Sequence, residues 1–338
     1  MSSVISRIVA EFKNMSKNGG EVSCPFYFLK KTDKGFQASN ADGQCIIARR
    51  LSEILNVKKW QQLVDEENPY LLNSDGKPAK KPFVGQTCGK AFEYLVKHFI
   101  EESFVKHLNF LRPGSYTVLL DKDLKDFEQY KHLRDFDEVL AFIPPEAKSL
   151  RDRLEAAFSS YAVSPDILVL AEKNDRDQVN EKWEDQSGIK RGYPLISDTD
   201  APHTNLLKKA EDENLPNVHA IVSIKWTMRS DRAQNARTEG VFSAQERRGK
   251  APHFVVVTGE PRPSRIRSLA LGSDIDCVYH AFLPELMQAI ETVNPGKKGK
   301  FVESERRWLE TMLEMNRLRD ISTFLLTLCC RSPAKNAK

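Results

Sequence analysis

Residues 219–239 read HAIVSIKWTMRSDRAQNARTE. An apolar run from His219 to Trp226 carries Lys225 close to its end. The run is short, rich in β-branched residues and bounded by polar residues, the pattern of a strand covered on both faces. A lysine at such a strand end can sit beside a phosphate and offset charge on its oxygens. Just beyond it stand Arg229, Asp231 and Arg232, followed by a helical pattern over residues 231–243. Arginine pairs bidentately with guanine O6 and N7, and a carboxylate accepts from cytosine N4. One segment thus joins a phosphate-facing lysine to a cluster suited to reading G and C edges. Ser230 or Asp231 is also placed to cap the following helix and aim its first turn at a nucleic acid.

The pattern on either side sets the fold class. Further strands are expected at Tyr116–Leu120, Asp166–Ala171, His253–Thr258 and Ile275–Tyr279. Helical periodicity appears over residues 3–15, 46–55, 87–111, 146–161, 283–293 and 302–318. Strands alternating with helices indicate an α/β fold with a mixed sheet flanked by helices. Residues 18–43 read as loop with a short strand, and residues 65–85 as loop. Residues 172–217 are strongly polar and carry several Gly and Pro, so they read as a surface excursion. No interdomain linker is evident. The expectation is a single domain over 1–338, with the excursion at 172–217 and a C-terminal helical extension at 296–338.

Composition excludes several classes. The chain has 338 residues, 40% hydrophobic and 29% charged, enough to bury a substantial core without disulfides. Its six cysteines form no Cys-x-x-Cys pair and no zinc spacing, and they read as reduced thiols of a cytoplasmic protein. There is no signal-peptide pattern and no apolar run long enough to span a membrane, so no membrane partner is expected. The net charge of +4, from 51 basic and 47 acidic residues, is mild, but a cleft needs only a local positive surface to hold DNA.

Hydrolysing a phosphodiester needs a hard cation, oxygen ligands for it and positive charge near the phosphate. Ser164-Pro165-Asp166-Ile167 supplies an acid at the start of one strand, and Val222-Ser223-Ile224-Lys225 supplies the lysine at the end of another. Metal-dependent nucleases commonly place an acid two residues before the lysine, where this chain has Ser223. Serine is a poor magnesium ligand, so a carboxylate must come from elsewhere. Glu239, on the helix after Asp231, and Glu93, after Gly85-Gln-Thr-Cys-Gly89, are the candidates. A plainer reading stands beside each piece. Pro-Asp before an apolar run is ordinary turn chemistry, a strand-end lysine is usually solvated, and Arg229–Arg232 also fits an exposed, ion-paired turn.

The chain resembles the CCGG family of type II restriction endonucleases. The motifs are Ser39-Asn-Ala-Asp42-Gly43, residues 85–93, Leu111-Arg-Pro-Gly114, Pro165-Asp166-Ile167, residues 225–240, residues 252–265 and Ile275-Asp-Cys-Val-Tyr-His280. They recur in order over roughly residues 36–293. The resemblance implies a restriction-endonuclease core of the PD-(D/E)xK type and a Mg²⁺ cofactor. It implies that Asp166 and Glu239 hold metal, with Glu93 a further acid nearby and Lys225 on the scissile phosphate. The family also has serine at the position of Ser223, and the backbone carbonyl of Ile224 is the atom expected to reach metal. By the same resemblance Arg229 and Arg232 read the central guanines and Asp231 the central cytosines. Asp42 and Arg265 read the outer pair, and Gln86 makes a minor-groove contact. Gln44 and Ile224 stand where a close relative within that family has Ser and Cys, and Gln44 neighbours the outer-base reader.

These roles imply cleavage of double-stranded DNA at GCCGGC after the first G, leaving 5′-CCGG overhangs. A palindrome calls for a two-fold symmetric protein, hence at least a homodimer. The resemblance extends this to a homotetramer and implies a cognate DNA methyltransferase in the host. The alternatives are a catalytically silent DNA-binding protein and a structure-specific repair nuclease with the same core.

Overall fold

Strand β5 (Asn217–Lys225) is buried along its length except at Lys225, which is half-buried. Its Val218, Ala220, Ile221, Val222 and Ile224 have almost no exposed surface. Burying a valine or isoleucine side chain contributes roughly 1.5–3 kcal/mol, so this strand is a main source of the core. The structure, a computed structural model, describes residues 29–32, 35–38, 45–55, 92–93, 96–97, 99–100, 115–158, 164–187, 194–197, 199, 204–209, 214–272, 275–324 and 326. The expected helix at 3–15 and loop at 65–85 lie outside the described residues.

The strands flanking β5 are β3 (Tyr116–Leu120), β4 (Ile167–Ala171), β6 (His253–Thr258), β7 (Cys277–His280) and β8 (Leu318–Asp320). Together they form one six-stranded sheet in the order β3-β4-β5-β6-β7-β8. β3 pairs antiparallel with β4, and β7 pairs parallel with both β6 and β8. The sheet is therefore mixed, as the alternation of strand and helix patterns implies. A separate antiparallel hairpin joins β1 (Leu29–Thr32) to β2 (Gly35–Ala38), where the sequence suggests a single short strand.

The chain divides into two compact units, one of residues 1–112, 222–238 and 254–338, the other of residues 113–221 and 239–253. In the first, α1 (Ile46–Leu55) packs against α7 (Leu283–Thr292), burying Ile47 and Leu51 on one helix and Leu286 and Ile290 on the other. Helix α6 (Pro263–Ala270) connects β6 to β7 and packs on α8 (Gly299–Glu314), with the Arg267 guanidinium 3.8 Å from the centre of the Trp308 ring. The helix expected over 302–318 stops at Glu314. Asn316 takes a left-handed φ of 54°, and the amide of Arg317 donates to Met312 O at 2.9 Å, a Schellman-type stop. The chain is then free to enter β8 beside β7. The Arg317 guanidinium donates to carbonyls of Ala270, Gly272, Ile275 and Asp276, tying the end of α6 to the start of β7.

The second unit contains α2 (Lys131–Ala141), α3 (Lys148–Phe158) and α4 (Arg176–Ser187). The Gln129 amide pairs with Val218 as a strand would, accepting from its N–H at 2.7 Å and donating to its carbonyl at 2.8 Å. Lys173 and Glu128 form a buried ion pair at 2.9 Å. The expected polar excursion is partly regular structure. α4 lies within it, Asn174 bridges to Leu207, and the Asn180 side chain pairs with both backbone groups of Ile196. Both described cysteines, Cys45 and Cys277, belong to the first unit and are buried free thiols.

Candidate functional site

The end of β5 carries the candidate residues that the sequence singles out. Ser223 and Ile224 are buried, Lys225 is half-buried, and Trp226 and Met228 return to the interior. Between and beyond these anchors the chain turns outward, so Arg229 and Asp231 are exposed and Arg232 is half-buried. Helix α5 (Ser230–Gln245) begins at once. Ser230 and Asp231, expected as caps, lie instead in its first turn, where the Asp231 carboxylate is favoured by the positive helix end. Arg232 folds back on the turn, its Nη1 donating to Thr227 Oγ1 at 3.1 Å and to Thr227 O at 3.4 Å.

The Lys225 position is held from the side. Thr258, the last residue of β6, donates its hydroxyl to Lys225 O at 2.7 Å, and Gly259 N donates to Trp226 O at 3.2 Å. A Cβ at Gly259 would collide with the Trp226 ring, so glycine is what lets the two strand ends close together. The Trp226 ring system also meets Phe92, with ring centres 5.0 Å apart. Phe92 precedes Glu93, so this contact brings the helical segment of Glu93 to the residue after Lys225.

A group that the sequence motifs contain but to which no role attached is Glu260. It is fully buried. Its carboxylate accepts from Met228 N at 2.7 Å and Arg262 N at 3.1 Å, and its oxygens lie 3.5 Å from Arg265 Nη1. Its own N–H donates to Thr258 Oγ1 and its carbonyl faces His280 Nε2 at 3.0 Å. Because His280 Nδ1 accepts from Phe282 N, Nε2 carries the proton and donates to that carbonyl. Full burial pushes the His280 pKa down to about 4. Burial alone could have flagged Glu260 in advance, and burial is not visible in a Gly-Glu-Pro sequence.

The structure thus brings Ser223, Ile224, Lys225, Glu93, Arg229, Asp231, Arg232 and Arg265 into one compact unit. Asp166, half-buried just before β4, and Glu239, half-buried on α5, belong to the other unit. Asp42, Gln44 and Gln86 lie outside the described residues. Among the described residues no three His, Cys, Asp or Glu side chains gather as a metal cluster. A magnesium ion does not require one, since it takes one or two carboxylates and keeps several waters. Asp166 and Glu239 are hard oxygen donors of that kind. No helix among the described residues is long and apolar enough to cross a membrane.

Comparison with known proteins places the chain among relatives. The model of a family described as NgoMIV restriction enzyme matches residues 68–330. Type II restriction enzyme NgoMIV of Neisseria gonorrhoeae is 36% identical over 264 residues, covering 76% of this chain and 82% of that protein. Among solved structures, a complex of restriction endonuclease PspGI with substrate DNA overlaps 96% of this chain and 89% of that chain. Its identity is 11% and its TM-score 0.27, too low to bear on this chain.

Proposed function

As a member of the NgoMIV restriction enzyme family this chain is a type II restriction endonuclease, and we propose that it cuts double-stranded DNA at GCCGGC after the first G, using Mg²⁺. The observation that carries the reading is the end of β5, where a buried strand delivers a half-buried Lys225 and then an exposed Arg229 and Asp231 at the start of a helix.

Lys225 sets its ammonium against the scissile phosphate, offsets charge on the phosphorane oxygens and orients the attacking water. Asp166 and Glu239 would hold the cation, with the Ile224 carbonyl as a further oxygen donor and Glu93 as an additional acid. When bound, the cation supplies Lewis-acid polarisation of the phosphoryl group. Buried Ser223 leaves the usual second-acid position neutral, so Glu239 takes over that role from α5. Arg229 and Arg232 read the central guanines by their N–H forks, and Asp231 accepts from the central cytosines. Asp42 and Arg265 read the outer pair, Gln86 makes a minor-groove contact, and Gln44, two residues from Asp42 in the chain, is a further DNA-contacting residue. Reading a palindrome with these groups takes a homodimer, and two dimers would make a homotetramer. A cognate methyltransferase would protect the host's own sites.

Incubation of plasmid DNA with Mg²⁺, followed by sequencing of the ends, tests this directly. The expected result is cutting at GCCGGC with four-base 5′-CCGG overhangs. Ends scattered over unrelated sequences would point to a structure-specific nuclease, and uncut plasmid to a silent binder. Lys225→Ala and Asp166→Ala are each expected to slow cutting by on the order of a thousandfold or more while still binding the GCCGGC duplex. Cutting at the parental rate by either variant would remove that residue from the chemistry.

A further inference from the structure

Two segments proposed to read bases leave the sheet at neighbouring points, one after β5 and one after β6, and a single buried carboxylate joins them. Glu260 accepts from Met228 N, the amide just before Arg229, at 2.7 Å. It also accepts from Arg262 N at 3.1 Å and lies 3.5 Å from Arg265 Nη1. Glu260 is fully buried, and the Arg265 side chain retains 24% exposure. We propose that Glu260 is a positioning residue for sequence reading, fixing the turn that carries Arg229, Asp231 and Arg232 and the guanidinium of Arg265 in one mutual register. This rests on the base-reading roles given above.

The physical case has three parts. A buried carboxylate must have its oxygens satisfied, and here one side chain takes donors from both segments, so neither can shift without stranding a charge. A guanidinium is a rigid fork with five N–H donors, so holding Nη1 from one side sets the direction of the rest. The anchor itself is rigid. Glu260 is pinned by Thr258 Oγ1 and by His280 Nε2, at 3.1 and 3.0 Å. The helix that carries Arg265 is fixed independently by buried Glu305 of α8, which accepts from Ser264 N and Ser264 Oγ, both at 2.7 Å, and from Arg262 Nε at 3.3 Å. Specific reading needs side chains held in place before DNA arrives, because ordering them on binding costs affinity.

The test compares the parental enzyme, Glu260→Gln, Glu260→Asp and Arg265→Ala on duplexes containing GCCGGC or the outer-pair variant ACCGGT. The readout is the ratio of kcat/KM between the two duplexes. A purely structural role would lower the folded fraction and both rates together, leaving that ratio unchanged. Glu260→Gln replaces two acceptor oxygens by one and removes the charge facing Arg265. The ratio is expected to fall by about tenfold, the scale of a weakened bidentate base contact. Glu260→Asp, which restores charge at shorter reach, is expected to recover part of it. If Glu260→Gln does not fold, Glu260→Asp carries the test and a lowered ratio is expected there. A ratio within about twofold of the parental value in the Glu260 variants, with Arg265→Ala losing discrimination, overturns the positioning role alone. An unchanged ratio in Arg265→Ala overturns the outer-base reading and this inference with it.

Discussion

His280 shows how far one buried side chain departs from its solution behaviour. It is enclosed, accepts from Phe282 N at Nδ1 and donates from Nε2 to Glu260 O, so its neutral form is built into the fold. Burial lowers its pKa from 6.5 to about 4. The unfolded chain therefore takes up a proton at pH values where the folded chain does not. Stability contributed by neutral His280 is complete above pH 6.5 and is lost as pH falls from there toward 4. The loss should total roughly 3 kcal/mol across that window. Thermal melts between pH 7 and 4 should show a falling midpoint, and His280→Gln, which can also donate and accept, should flatten the fall. A pH-independent difference between the two proteins would refute the linkage. Ser223 shows the opposite relation of residue to context. Its chemistry is readable from sequence, yet its meaning depends on the acid proposed to stand in for it.

Among the elements, the strands with long apolar runs were the legible ones. Tyr116–Leu120 and His253–Thr258 form strands at the limits their sequences suggest, and Ile46–Leu55 is a helix end to end. The elements that the sequence pattern does not mark lack a period of their own. α4 carries a mostly polar sequence, RDQVNEKWEDQS, with no apolar stripe. β8 is only LRD, three residues that become a strand because β7 offers a parallel edge. The switch from α8 to β8 depends on Asn316, whose left-handed backbone asparagine tolerates better than residues with a branched Cβ. Asn316→Val should destabilise the protein by about 1–2 kcal/mol, and Asn316→Gly should be nearly neutral, as read by chemical denaturation. Equal stabilities for the two variants would show that the left-handed stop is not what ends the helix.

For the whole molecule, membership of the restriction enzyme family and the proposed palindromic site together set an assembly expectation. Light scattering of the purified protein should give a mass of two or four chains, and a monomer that still cuts GCCGGC on both strands in one event would contradict it. The sequence by itself determined the α/β class, the family, and the residue types at the end of β5, because strand periodicity, charge and ordered motifs are local and survive in one dimension. Tertiary structure alone decided that a buried glutamate links the turn before Arg229 to Arg265, that a glycine lets Trp226 and β6 close together, and that a three-residue tail segment becomes the sixth strand. Those outcomes depend on burial and on partners distant in the chain, and a carboxylate in Gly-Glu-Pro carries no mark of either until the fold has removed it from water.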